Sequence, residues 1–309
     1  MKFLVVGAGA LGGYFGGRLL AAAQDVTFLV RPGRAAQLKQ NGLQIRSPRG
    51  DITIHQPPHL LAEQITRHYD VVIVGCKAYD LDATMDSFAA AVGPNTAILP
   101  LLNGMEHLER LASRFGKERV LGGMCLISAT LDAQGAVLHL NDLHGLVFGE
   151  LDQPTSERVE AIAAAMSLAN FEPRVSAEMQ LEMWEKWAFI ATLAGATCLL
   201  RGSVGDIVSA GQAGVALALY AECSAIAASH GFAPRPAAGE FVRARMTTAS
   251  PLTASMLKDL ERGGAIEADH IIGDFLRRDG ANASPVMAMA YAHLKTYEAR
   301  RAREAAAAK

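Results

Sequence analysis

Near its N-terminus the chain reads Gly7-Ala8-Gly9-Ala10-Leu11-Gly12, a GxGxxG spacing set between the apolar run Phe3 to Val6 and a helical pattern from Leu11 to Ala23. Few short segments restrict a backbone as tightly. A strand that passes through a turn directly into a helix needs one glycine for the turn. A second lets a ligand approach the main chain, and a third lets helix and strand pack closely. The helix start then presents unpaired N–H groups and the positive end of its dipole to an anion. Gly7, Ala8, Gly9, Ala10, Leu11 and Gly12 are therefore read as the pyrophosphate cradle of a dinucleotide site.

The surrounding pattern supplies the context that this motif requires. Val26 to Val30, Val71 to Val74 and Ala97 to Leu102 are continuous apolar runs alternating with helical stretches, the pattern of parallel strands covered on both faces and joined by right-handed crossovers. Leu121 to Thr130 and Ala136 to Glu150 follow each other across Asp132-Ala133-Gln134-Gly135 and read as an antiparallel edge closing that sheet. After Pro154 the patterns are helical: Ser156 to Ala169, Ala177 to Leu200, Gly211 to His230, Phe241 to Met246 or beyond, Glu267 to Asp279, and Ser284 to the end. Glu172 to Ser176 reads as a connection. The expected fold class is α/β, with an N-terminal Rossmann-type doubly wound sheet over residues 1–176 followed by an all-α C-terminal domain over 177–309. A length of 309 residues suits two such domains.

Composition excludes several function classes. With 29 basic and 31 acidic residues the net charge is -2, which offers no general attraction to nucleic acid or anionic membranes. Cys76, Cys125, Cys198 and Cys223 form no CxxC pair and fit a reducing cytoplasm. The glycines after Met1-Lys2 fit a strand-turn-helix better than a signal peptide, and the run Trp187 to Leu200, bounded by Lys186 and Arg201, suits a buried helix better than a membrane span. His139, His144 and the pair Asp269-His270 lack the spacing of a metal site, so none is expected.

Other polar residues stand where an open α/β sheet binds ligands, beyond the carboxyl ends of its strands. Arg31, with Arg34 close behind, follows the second apolar run, whereas Asp25 lies at its wrong end. A cation there favours a 2′-phosphate, hence NADP(H); the lesser alternative is that Arg31 is a solvated strand cap. Lys77 and Asn103 hold the corresponding places after the third and fourth runs, as ligand contacts or as ordinary loop residues. Lys186 opens an apolar helical stretch, where it either snorkels to water or, if desolvated, becomes a better acid suited to proton transfer.

These residues, with Leu102-Asn103-Gly104, Ser255-Met256-Leu257-Lys258-Asp259, Gly263, Ile266-Glu267-Ala268-Asp269 and Gly273, resemble the ketopantoate reductase (2-dehydropantoate 2-reductase) family along nearly the whole chain. The most specific part is the SMLxD stretch with a glutamate twelve residues after its serine. The resemblance implies NADPH as hydride donor, a small 2-oxo acid as substrate, pantothenate biosynthesis as setting, and a homodimeric assembly. It implies that Lys186 protonates the ketone oxygen, that Glu267 orients Lys186 and the substrate, and that Ser255 holds the substrate carboxylate. Asn103 and Lys77 would line the nicotinamide and substrate end. The bland readings of Glu267 and Ser255 are a solvated helix acid and an N-cap.

The chain departs from the family pattern at one place. Asparagines are expected four and eight residues after the catalytic lysine, on one helix face, and Ile190 and Ala194 stand there. Loss of two amides should make the pocket more apolar, and hydrogen-bonding sites discriminate strongly among substrates. Three readings follow: reduction of 2-dehydropantoate, reduction of a more apolar 2-oxo acid, or a non-catalytic NADP(H)-binding sensor.

Overall fold

The computed structural model describes residues 1–280 and 284–307, so the last two residues of the expected C-terminal helix lie outside them. The chain divides into two compact units, one of Met1–Leu102 with His107–Met179, the other of Asn103–Glu106 with Gln180 onward. In the first unit the order is β1 Lys2–Val6, α1 Ala10–Ala21, β2 Asp25–Leu29, α2 Pro32–Asn41, β3 Leu43–Arg46, β4 Ile52–Ile54, β5 His59–Leu60, β6 Val71–Val74, α3 Leu81–Phe88 and β7 Ala97–Pro100. Then follow α4 Glu106–Phe115, β8 Gly122–Leu131, β9 Val137–Gly149, α5 Glu157–Met166 and β10 Glu172–Val175. Strands β5-β2-β1-β6-β7 form one sheet, parallel throughout. Its central strands are buried along nearly their full length, which is why their sequences do not alternate.

The β8–β9 hairpin does not close this sheet, contrary to the sequence expectation. It belongs to a second sheet of order β10-β9-β3-β4, with β8 antiparallel to β9; just before β8, Val120 forms an isolated parallel bridge with Ile98 of the first sheet. The reason lies in α1, which is covered on two faces. A Cβ on Gly12 would overlap the Gly7 carbonyl oxygen, and one on Gly16 would stand 2.7 Å from the Phe28 ring, both on the parallel-sheet side. A Cβ on Gly13 would stand 2.9 Å from Val137, and one on Gly17 2.7 Å from Ile45, both residues of the second sheet. Two glycine pairs spaced by four thus let one helix lie close to both sheets.

The second unit is helical: α6 Met179–Leu200, which starts at the boundary, α7 Val204–Ser209, α8 Ala213–Ser229, α9 Pro236–Thr247 and α10 Ser255–Glu261. A π-helical turn Asp269–Gly273 runs into α11 Asp274–Asp279, and α12 is Pro285–Ala307. Helix α6 is apolar around much of its circumference, as a central buried helix must be. Among the described residues no helix is long and apolar enough to cross a membrane.

Candidate active site

The glycine segment forms the turn that its spacing requires. Gly7 has φ +90° and donates its N–H to the Leu29 carbonyl at 2.8 Å. Gly9 is the N-cap of α1, with no side-chain cap, no acidic residue in the first turn and open space where a Cβ would be. That leaves the positive helix end clear for an anion. Ala10, Leu11 and Gly12 form the start of the helix behind it.

Gly7, Ala8 and Gly9 line a cleft of about 600 Å³ together with Arg31 and Lys77. Arg31 caps α2, its side chain 72% exposed and 3.4 Å from the carboxylate of Asp80. Lys77 is half-buried and precedes the short 3-10 turn Ala78–Asp80. Arg34, one turn into α2, donates from Nε to the Ala8 carbonyl at 2.9 Å and so braces the cradle from below. Burial pulls its guanidinium below its ordinary pKa, and Asp132 opposes that shift. The cleft volume and its few polar groups match the usual dimensions of a cofactor site.

The remaining candidates belong to the second unit. Lys186 is half-buried on α6. Its neighbour Trp187, 1% exposed, donates its indole N–H to the Ile271 carbonyl at 3.0 Å and stacks on Phe275 with ring centres 3.6 Å apart. Glu267, also half-buried, accepts the Ile271 N–H on its own carbonyl at 3.0 Å. Ile271 therefore links the Lys186 helix to the segment that follows Glu267. Asn103 is half-buried, and its carbonyl oxygen accepts a hydrogen bond from His270 Nε2 at 2.6 Å. Ser255 is exposed and is the first residue of α10, whose N-cap is Ala254. Ile190 is half-buried and Ala194 buried.

His270 stands next to Asp269, a pair whose spacing gives no metal site. Among the described residues no group of His, Cys, Asp and Glu could hold a metal. Its actual partner lies 167 residues away, a relation with no local sequence signal. His139 and His144 sit in the first unit against Tyr14, whose hydroxyl is 3.1 Å from His144 Nδ1.

The family model for ketopantoate reductase PanE/ApbA matches residues 3–153, and that for its C-terminal part matches residues 178–298. The chain belongs to the ketopantoate reductase family. Within this oxidoreductase family it is 39% identical to the uncharacterized oxidoreductase YkpB of Bacillus subtilis, over 97% of this chain and 99% of that one. It is 27% identical to the 2-dehydropantoate 2-reductase of Methylococcus capsulatus, whose crystal structure superposes with a TM-score of 0.87 over 97% of this chain and 98% of that one. D-mandelate dehydrogenase, solved with NADH and anilino(oxo)acetate, shares the fold at 20% identity, with a TM-score of 0.87 over 97% and 99% of the two chains.

Proposed function

We propose that the chain catalyses NADPH-dependent reduction of a 2-oxo acid, with 2-dehydropantoate (ketopantoate) reduced to pantoate as the first reading. The observation that carries this is the pair of donor sets: a clear helix start with Arg31 and Lys77 on one unit, and Lys186, Glu267 and Asn103 on the other. Arg31 is the candidate for the coenzyme's 2′-phosphate, because its guanidinium is largely exposed beside the cleft and matches phosphate geometry.

Bound NADPH supplies the hydride. Lys186 hydrogen-bonds the ketone oxygen and gives it a proton as negative charge develops there. A fixed ammonium stabilises that charge more in the transition state than in the ground state, which is what accelerates the step. Glu267 orients the ammonium, while Ser255 and Asn103 hold the substrate.

A second reading, a more apolar 2-oxo acid, rests on Ile190 and Ala194. Steady-state assays with ketopantoate and a series of alkyl and aryl 2-oxo acids, each with NADPH and NADH, test both readings. The first predicts the highest kcat/KM for ketopantoate with NADPH. A higher value for an apolar 2-oxo acid selects the second, and NADPH binding without turnover of any of them removes both.

A further inference from the structure

One buried histidine in the second unit joins two segments to which the proposed chemistry is assigned. We infer that His270 is a positioning residue: its imidazole fixes the Asn103-Gly104 turn and thereby sets the orientation in which Asn103 is presented relative to Lys186 and Glu267. This rests on the site reading proposed above and adds a residue to it.

His270 is 4% exposed, and its Nε2–H donates to the Asn103 carbonyl at 2.6 Å. The turn is shaped around the ring. Gly104 has φ +85°, and a Cβ there would lie 3.0 Å from both Cδ2 and Nε2 of the imidazole. Only glycine meets both conditions. On the ring's other side the Glu106 carboxylate lies 3.7 Å from Nδ1 and is itself held by Arg277 at 2.6 Å. The imidazole is therefore held by a hydrogen bond at Nε2, with the Glu106 carboxylate nearby on the Nδ1 side, and both groups come from the segment Asn103–Glu106.

The backbone carrying His270 is equally constrained. It lies in the π-helical turn Asp269–Gly273, a local widening that alters the side-chain register of a helix and occurs often at functional sites. Tyr291 and Lys295 hold the Asp269 carboxylate at 2.6 and 3.0 Å, and Trp187 holds the Ile271 carbonyl at 3.0 Å. The same turn begins two residues after Glu267, and its bond to Trp187 falls one residue after Lys186. One short turn thus relates three candidate residues that are widely separated in sequence. Displacing a substrate-positioning group by 1 Å costs on the order of 100-fold in rate, so such a brace has kinetic weight without touching substrate.

A double-mutant cycle on the full chain tests this. His270→Ala should lower kcat/KM for the best 2-oxo acid by about 10- to 100-fold, while the NADPH dissociation constant, read by NADPH fluorescence, rises no more than it does in Asn103→Ala. His270→Gln, whose amide N–H reaches as far as Nε2–H, should restore most of the loss. In an Asn103→Ala background, His270→Ala should change kcat/KM by less than about twofold, because the amide it positions is gone. Multiplicative losses in the double variant, or kcat/KM unchanged in His270→Ala, overturn the inference. Unchanged kcat/KM in Asn103→Ala alone overturns the site reading beneath it. Should His270→Ala fail to fold, His270→Asn, too short to reach the carbonyl, takes its place in the cycle.

Discussion

Lys186 carries the largest chemical demand of any single residue in the proposed reaction. Its ammonium must meet a developing alkoxide, and general acid catalysis of this kind contributes about 100- to 10,000-fold. Lys186→Ala should therefore lower kcat by that order. All the proposed coenzyme contacts except that of Asn103 lie in the other unit, so NADPH affinity should be nearly unchanged. Single-turnover kinetics beside a fluorescence titration would separate the two effects, and an unchanged kcat would remove Lys186 as the acid. Its neighbour Trp187 has a different task. With its indole N–H on the Ile271 carbonyl and its ring stacked on Phe275, it anchors the helix that presents the lysine.

At the scale of elements, α1 decides most about the first unit, since both sheets pack onto it through its glycines. The second sheet also carries a pH dependence. His144 on β9 lies against Tyr14 of α1. Burial, joined by the neighbouring basic groups Arg49, His139 and Arg18, lowers its pKa from the ordinary 6.5, while Glu172 opposes the shift. The neutral ring is thus favoured in the folded state. Its contribution to stability is complete above pH 6.5 and is lost as pH falls through the lowered folded value. Thermal unfolding between pH 7.5 and 5 should show a falling midpoint, and His144→Gln should flatten that fall; an unaltered slope would assign it to other groups.

The same elements show what was legible in the sequence. The glycine turn could be read because its requirement is local, and the parallel strands because burial on both faces leaves continuous apolar runs. The second sheet could not. Leu43–Arg46 and Ile52–Ile54 are too short to carry a period, and their pairing is with each other and with Val137 and Leu138 far along the chain. Strand β10, Glu172–Val175, exists through pairing with β9 and read as a mere connection. In the candidate site, Lys186 and Glu267 stood out through a family pattern. His270 did not, because its meaning depends on Gly104 and Asn103.

For the whole molecule, the division of labour is the property to measure. The first unit holds the glycine cradle, Arg31 and Lys77, and the second holds Lys186, Ser255 and Glu267. A ligand that binds only the folded state stabilises what it touches, by about 2.7 kcal/mol at 100 times its dissociation constant. Hydrogen exchange with NADP+ at that excess should show the strongest protection at residues 7–12, 29–34 and 75–80. Adding a non-reducible 2-oxo acid analogue should extend protection to peptides around 186 and 255–273. Protection by NADP+ confined to the latter peptides would reverse the assignment.

The placement of Asn103–Glu106 in the second unit also has a consequence in time. These four residues are synthesised in the middle of the first unit's chain, yet the partner of Asn103 comes 167 residues later. At ribosomal speeds of about 5–20 residues per second, about 10–30 s separate the two. A nascent chain can complete the strands that flank the cradle while this turn still waits for its imidazole. Competence to bind coenzyme would then precede competence to orient substrate within the life of every newly made molecule.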